Sequence, residues 1–124
     1  MTPQDRAIFI IDDDPSILRS VRRLMRSVGY RNVETFDSAE AFLSHAIPRG
    51  PFLLVLDLLL SGMSGIDLQR HLRESGHSPD TVFISANEGE LERARTICPE
   101  GLAFLQKPLE EGNLLAAVRS ALET

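Results

Sequence analysis

The chain has 124 residues and a mass of 13.8 kDa, enough for one buried core and too little for two. Apolar residues make up 43% and charged residues 25%, which excludes a disordered chain. A net charge of −5 argues against the domain itself gripping a nucleic-acid backbone, and a single cysteine, Cys98, excludes an internal disulfide and a thiolate zinc site.

In chain order, residues 1–6 show no basic-then-apolar leader pattern. Residues 7–11 are a short run rich in β-branched side chains, as in a buried strand. Asp14-Pro15 supplies an N-cap and a proline at the first helical position. Ile17, Val21, Leu24, Met25 and Val28 then recur at helical spacing, and Gly29 closes that helix. Residues 32–36 read as a second strand. Ser38 caps a short helix whose Ala39, Phe42, Leu43 and Ala46 share a face, and Pro48, Gly50 and Pro51 mark a loop. Residues 52–56 are apolar at every position, the mark of a central parallel strand covered on both faces. The whole apolar stretch, residues 52–60, is broken by Asp57 and is far too short to cross a bilayer. The expectation is a cytoplasmic protein with no membrane contact. Ser64 caps a third helix that Gly76 ends, and residues 81–85 are a fourth strand. A charge-rich helix runs from about Glu88 and stops by Pro99, residues 102–105 form a fifth strand, and Leu114, Leu115, Val118, Ala121 and Leu122 line a last helix.

Strand alternating with helix five times over predicts an α/β domain spanning residues 1–124, with parallel strands and helices on both faces. In such sheets chemistry sits at the carboxyl ends of the strands. There the sequence places Asp12, Asp13 and Asp14 after strand one, Asp57 after strand three, Ser85 at the end of strand four and Lys107-Pro108 after strand five. Taken singly, each has a plainer role: Asp14 as a helix cap, Asp12 and Asp13 as turn residues, Ser85 as a structural hydroxyl, Lys107 as a solvated charge. Asp57 resists that reading, because a carboxylate among apolar neighbours is costly unless paired. Together, carboxylates about 5 Å apart would repel by roughly 3 kcal/mol at an effective dielectric of 20, so they raise one pKa or demand a cation. Hard oxygen ligands with no imidazole or thiolate suit Mg²⁺, or Mn²⁺ in its place, rather than zinc.

The segments Ile-Ile-Asp12-Asp13-Asp14-Pro15, Val-Leu-Asp57-Leu, Ile-Ser85-Ala86 and Phe104-Leu-Gln-Lys107-Pro108 together resemble the receiver domain of two-component response regulators, over about residues 7–122. The resemblance implies a flavodoxin-like sheet of strand order 2-1-3-4-5. It implies that Asp57 accepts a phosphoryl group from a histidine kinase or a histidine phosphotransfer protein. Asp12, Asp13, Asp57 and the backbone carbonyl of Leu59 would hold Mg²⁺, and Ser85 and Lys107 would contact the phosphoryl oxygens. Lys107-Pro108 would be a cis peptide, and Phe104 would swing inward when Ser85 is drawn to the phosphate. The surface of helix four, strand five and helix five would then switch. Such a domain acts on itself and turns over no external substrate.

Several residues depart from the family pattern. Leu60 and Ser61 stand where many receivers have Met and then Pro. Pro99-Glu100-Gly101 lacks the usual Gly-Ala pair, and Ala103 replaces a frequent Asp. Residues 35–43 resemble receivers fused to helix-turn-helix output domains. Arg19, Arg22, Arg23 and Arg26 form a basic stripe on helix one, either a solvated face or a dock for the phosphodonor. His45, His71 and His77 show no ligand spacing, and Cys98 reads as a small core residue. Two other functions compete. One is a phosphorylation-independent interaction module that keeps only the fold. The other is a phosphatase of the haloacid-dehalogenase type, which needs a second acid where this chain has Leu59.

Overall fold

In the computed structural model, which describes residues 2–123, the five apolar runs form β1 (Ile8–Ile11), β2 (Val33–Phe36), β3 (Leu53–Asp57), β4 (Asp80–Ser85) and β5 (Ala103–Gln106). Between and after them lie α1 (Pro15–Ser27), α2 (Ala39–Leu43), α3 (Gly65–Glu74), α4 (Glu88–Ile97) and α5 (Glu111–Leu122). Met1 and Thr124, the ends of the expected 1–124 domain, lie outside the described residues. All strand pairs are parallel and the order is β2-β1-β3-β4-β5, as expected for the flavodoxin-like arrangement.

Side-chain alternation along each strand divides the interior into two cores. Phe9, Ile11, Leu54, Leu56 and Phe83 face α2, α3 and α4, where Phe42, Leu68, Leu72, Leu91 and Ala94 meet them. Ile8, Ile10, Leu53, Val55, Val82 and Ile84 face α1 and α5, against Val21, Met25, Leu114, Val118 and Leu122. Every residue of β1 and β3 is buried, which is why those runs carry no alternation in the sequence. Each of the apolar side chains among them contributes about 1.5–3 kcal/mol of transfer free energy.

α1 to α4 begin where short polar side chains satisfy their first N–H groups, whereas α5 has no side-chain cap. Asp14 Oδ1 accepts from Ser16 N at 2.9 Å, Ser38 Oγ from Ala41 N at 3.0 Å, Ser64 Oγ from Asp67 N at 3.1 Å and Asn87 Oδ1 from Glu90 N at 3.0 Å. Several boundaries differ from the sequence expectation: β1, β2 and β3 start one residue later, β3 takes in Asp57, and β4 starts one residue earlier. α2 ends at Leu43, so Ala46 lies past the helix and does not share its face. Leu102 precedes β5, although its N–H already bonds Thr81 O at 2.8 Å. A 3-10 turn at Pro3–Asp5, which the sequence did not suggest, is tied to the segment before β2, where Arg31 Nε and Nη2 both donate to Asp5 Oδ1. Cys98 is buried in the core beside α4. Among the described residues no helix is long and apolar enough to cross a membrane.

Candidate functional site

Strand register builds the site. Ile11 pairs with Leu56, so the next residues, Asp12 and Asp57, stand abreast at the carboxyl edge of β1 and β3. Asp57 pairs with Ile84, Ser85 follows at the end of β4, and its partner Gln106 is followed by Lys107. Parallel pairing therefore delivers all these side chains to one edge. Asp12 and Ser85 are fully buried and Asp57 is 4% exposed, whereas Asp13 is open to solvent.

Oxygen atoms of Asp12, Asp13 and Asp57 lie within 4.8 Å of one another. The Lys107 ammonium reaches this group from the far side, 2.7 Å from Asp12 Oδ2 and 3.4 Å from Asp57 Oδ2. Asp12 Oδ1 accepts from Asp14 N at 2.9 Å, and Asp57 Oδ1 accepts from Leu59 N at 3.3 Å. Ser85 Oγ accepts from Asn87 N at 3.0 Å, and its carbonyl accepts from Lys107 N at 2.9 Å. The Lys107-Pro108 peptide is cis.

Electrostatics follow from this crowding. Burial, and then the Asp12 charge, push the Asp57 carboxyl above the usual carboxylate range, against the opposing pull of Lys107 and the Leu59 N–H. Burial alone would depress the Lys107 ammonium, but the hydrogen bond to Asp12 and the charges of Asp57 and Asp12 outweigh it and raise its pKa. One ammonium thus balances three clustered carboxylates. Asp12 Oδ2 is buried and, beyond that ion pair, has no well-formed hydrogen bond. An all-oxygen donor set with surplus negative charge and a buried, under-satisfied oxygen fits Mg²⁺ or Mn²⁺.

Sequence reasoning placed Asp12, Asp13, Asp57, Ser85 and Lys107, and the structure brings all five to this edge. It missed Gly65 and Glu40. A Cβ on Gly65 would lie 2.4 Å from Asp57 O and 3.0 Å from Leu58 Cα, so glycine is what lets α3 start against the backbone that carries the nucleophile candidate. Glu40 of α2 accepts from Met63 N at 2.9 Å, across 23 residues of sequence.

Phe104 is half-buried. Its ring stacks on Phe83 with centroids 5.3 Å apart, and the Arg95 guanidinium sits 5.4 Å from its centroid. Gly101 makes the stack possible, since a Cβ there would meet Phe104 Cζ at 2.6 Å and Phe83 Cε2 at 2.9 Å. Leu60 is buried, Ser61 is exposed and Leu59 is 51% exposed at the mouth of the site. Arg19, Arg22, Arg23 and Arg26 are all exposed, and none makes an ion pair among the described residues. Beside them, Ile17, Ser20, Leu24, Pro108 and Leu109 line a groove of about 280 Å³ between α1 and the start of α5. His45 pairs with Glu34 at 2.8 Å, and no histidine joins an acidic cluster among the described residues.

Residues 8–119 match the response regulator receiver domain family. The chain belongs to that family. Its relatives include the response regulator protein TmoT of Ectopseudomonas mendocina, 39% identical over 124 residues that cover 99% of this chain and 56% of that protein. TodT of Pseudomonas putida is 37% identical, with 99% and 54% coverage. This receiver therefore spans a little over half the length of these relatives. Among solved structures, response regulator StyR superposes with a TM-score of 0.86 at 39% identity, over 96% of this chain and 60% of that one. The BeF3-activated DrrB receiver domain gives 0.82 at 25% identity, over 97% and 99%. The receiver assignment makes the chain part of two-component signalling, in which such domains interact with histidine kinases or phosphotransfer proteins.

Proposed function

We propose that Asp57 is the phosphoacceptor, taking a phosphoryl group from a phosphohistidine on a histidine kinase or histidine phosphotransfer protein. The observation that carries this reading is the gathering of Asp12, Asp13 and Asp57 within 4.8 Å, closed by the Lys107 ammonium. One Asp57 oxygen forms a bond to phosphorus as the phosphorus–nitrogen bond to the donor imidazole breaks, and the departing imidazole takes up a proton. Phosphoryl transfer depends on positioning and charge neutralisation. Leu59 N–H fixes the Asp57 carboxylate, and Lys107 can move from Asp12 to the incoming phosphoryl oxygens. Asp12, Asp13, Asp57 and the Leu59 carbonyl would hold Mg²⁺, which supplies the remaining positive charge.

The acylphosphate on Asp57 brings new acceptor oxygens to the site. Ser85 Oγ, which now accepts from Asn87 N, has a hydroxyl proton to donate to them. Any shift of Ser85 draws on the turn that starts α4, a helix with only Leu91 and Ala94 buried. Such a lightly anchored element can repack, with Phe104 and the α4, β5 and α5 surface, at low cost. The domain catalyses its own phosphorylation and dephosphorylation, turns over no external substrate, and works in the cytoplasm. TdiR and FixJ are named transcriptional regulatory proteins, which favours transcription as the downstream process.

Intact mass after incubation with acetyl phosphate tests the assignment. Wild type gains one phosphoryl group only with Mg²⁺ present, and Asp57→Asn gains none. Modification of Asp57→Asn, or of wild type in chelator, would contradict the assignment. Partner binding without any phosphoryl gain would favour the phosphorylation-independent module.

A further inference from the structure

We infer that Glu40 is a positioning residue for the metal site, holding in place the loop between β3 and α3 that carries Leu59. This rests on the reading of Asp12, Asp13, Asp57 and Leu59 as the Mg²⁺ ligands. Residues 58–64, Leu-Leu-Leu-Ser-Gly-Met-Ser, contain no proline to preset a backbone angle and one glycine that widens the unfolded ensemble. The loop is pinned at its ends. Leu58 N bonds Ile84 O at 3.0 Å, Leu59 N bonds Asp57 Oδ1 at 3.3 Å, and Gly65 N bonds Leu58 O at 3.2 Å. Between these ends Leu60 is anchored in the core, while Leu59, Ser61 and Gly62 are exposed.

A tie from another element reaches this stretch. Glu40 Oε2 accepts from Met63 N at 2.9 Å. The carboxylate also rests against Gly62, whose φ is +80° and whose missing Cβ would lie 2.8 and 3.2 Å from the two Glu40 oxygens. Gly62 is required for its left-handed backbone, and the Glu40 carboxylate occupies the space its missing side chain leaves. The same hydrogen bond keeps the Glu40 carboxyl below the usual carboxylate range. Glu40 is exposed, so burial gives it no other structural task. Where a proline could stiffen this loop the chain has Ser61, and a hydrogen bond from α2 does the equivalent work. A loop held in its bound shape loses less freedom when the Leu59 carbonyl becomes a ligand, so the tie strengthens metal binding without touching the metal.

Three variants separate this role from a plain effect of charge in the first turn of α2. Glu40→Ala removes both acceptor and charge. Glu40→Asp keeps the charge beside the helix N-terminus but withdraws the acceptor by one methylene. Glu40→Gln keeps an acceptor and loses the charge. Mg²⁺ affinity is measured by calorimetry, and amide exchange at Met63 is followed by NMR in the metal-free protein. Glu40→Ala and Glu40→Asp should both bind Mg²⁺ about tenfold more weakly, on the scale of outer-sphere ligand losses. Both should also exchange Met63 N–H faster, and Glu40→Gln should stay near wild type in both readouts. Unchanged affinity in Glu40→Ala, or wild-type behaviour of Glu40→Asp beside a weakened Glu40→Ala, would overturn the inference. Failure of wild type itself to bind Mg²⁺ would instead overturn the metal assignment, a distinct outcome because Met63 protection is read without metal.

Discussion

Asp57 ends a strand whose other four residues are apolar, and its backbone is as constrained as its carboxylate. α3 begins so close to it that position 65 has no room for a methyl group. Gly65→Ala should therefore destabilise the domain by about 2–3 kcal/mol through overpacking. In a thermal melt that is a fall of roughly 5–10 °C. An unchanged melting temperature would show that α3 can back away without cost. Residues of this kind mark the limit of what the sequence discloses. Asp12, Asp13, Asp57, Ser85 and Lys107 were legible because each terminates an apolar run, and the fold rule points to strand ends. Gly65 and Glu40 were not, because their partners, the Asp57 carbonyl and the Met63 amide, are set by how α3 and α2 dock on the sheet. No local pattern encodes that docking.

Among the elements, α1 carries four arginines on its exposed side, none of which makes an ion pair among the described residues. The helix starts at the acidic edge, and the groove beside it is closed by Pro108 and Leu109, next to Lys107. An acidic surface on the phosphodonor would be steered to this side of the site. Arg22→Glu combined with Arg26→Glu should slow phosphotransfer from the protein donor about tenfold at low salt. Labelling by acetyl phosphate should be unaffected. Equal loss with both donors would return the stripe to a solvated face. The sequence read the long amphipathic helices and the fully buried strands well, since their periodicity is dictated by the core. It overran α2, where Ala46 keeps the apolar spacing after the helix has stopped, because a five-residue helix offers too little pattern to locate its end. It also set β5 one residue early, at Leu102, whose N–H joins the neighbouring strand before regular pairing begins.

On the scale of the whole molecule, the two ends of the α1/α5 core are tied by Tyr30, whose hydroxyl donates to the Glu123 carboxylate beyond α5. Burial, followed by that hydrogen bond and the Glu123 charge, raises the Tyr30 pKa to about 12. Unfolded tyrosine ionises near 10. The folded state thus keeps its proton where the unfolded chain begins to lose it. The stabilising contribution is complete below pH 10 and disappears as pH rises through about 12. The chain has one Tyr and no Trp, so tyrosinate absorbance reports this residue alone. Its midpoint should lie well above that of the unfolded protein, and Tyr30→Phe should remove this residue's share of the alkaline dependence. A midpoint near 10 would show the contact to be absent in solution.

The parity of β4 has a directional consequence for signalling. Ser85 has the parity of Phe83, which packs toward α2, α3 and α4, whereas Val82 and Ile84 pack toward α1 and α5. A tug on the Ser85 hydroxyl is felt on one side of the partition, where Phe83 and Phe104 stack, and the arginine-bearing helix lies behind it. On the proposed reading the donor docks on the α1 wall and the α4 part of the readout surface lies on the opposite one, while α5 shares the donor's side. A donor could stay seated on its wall while the other rearranges.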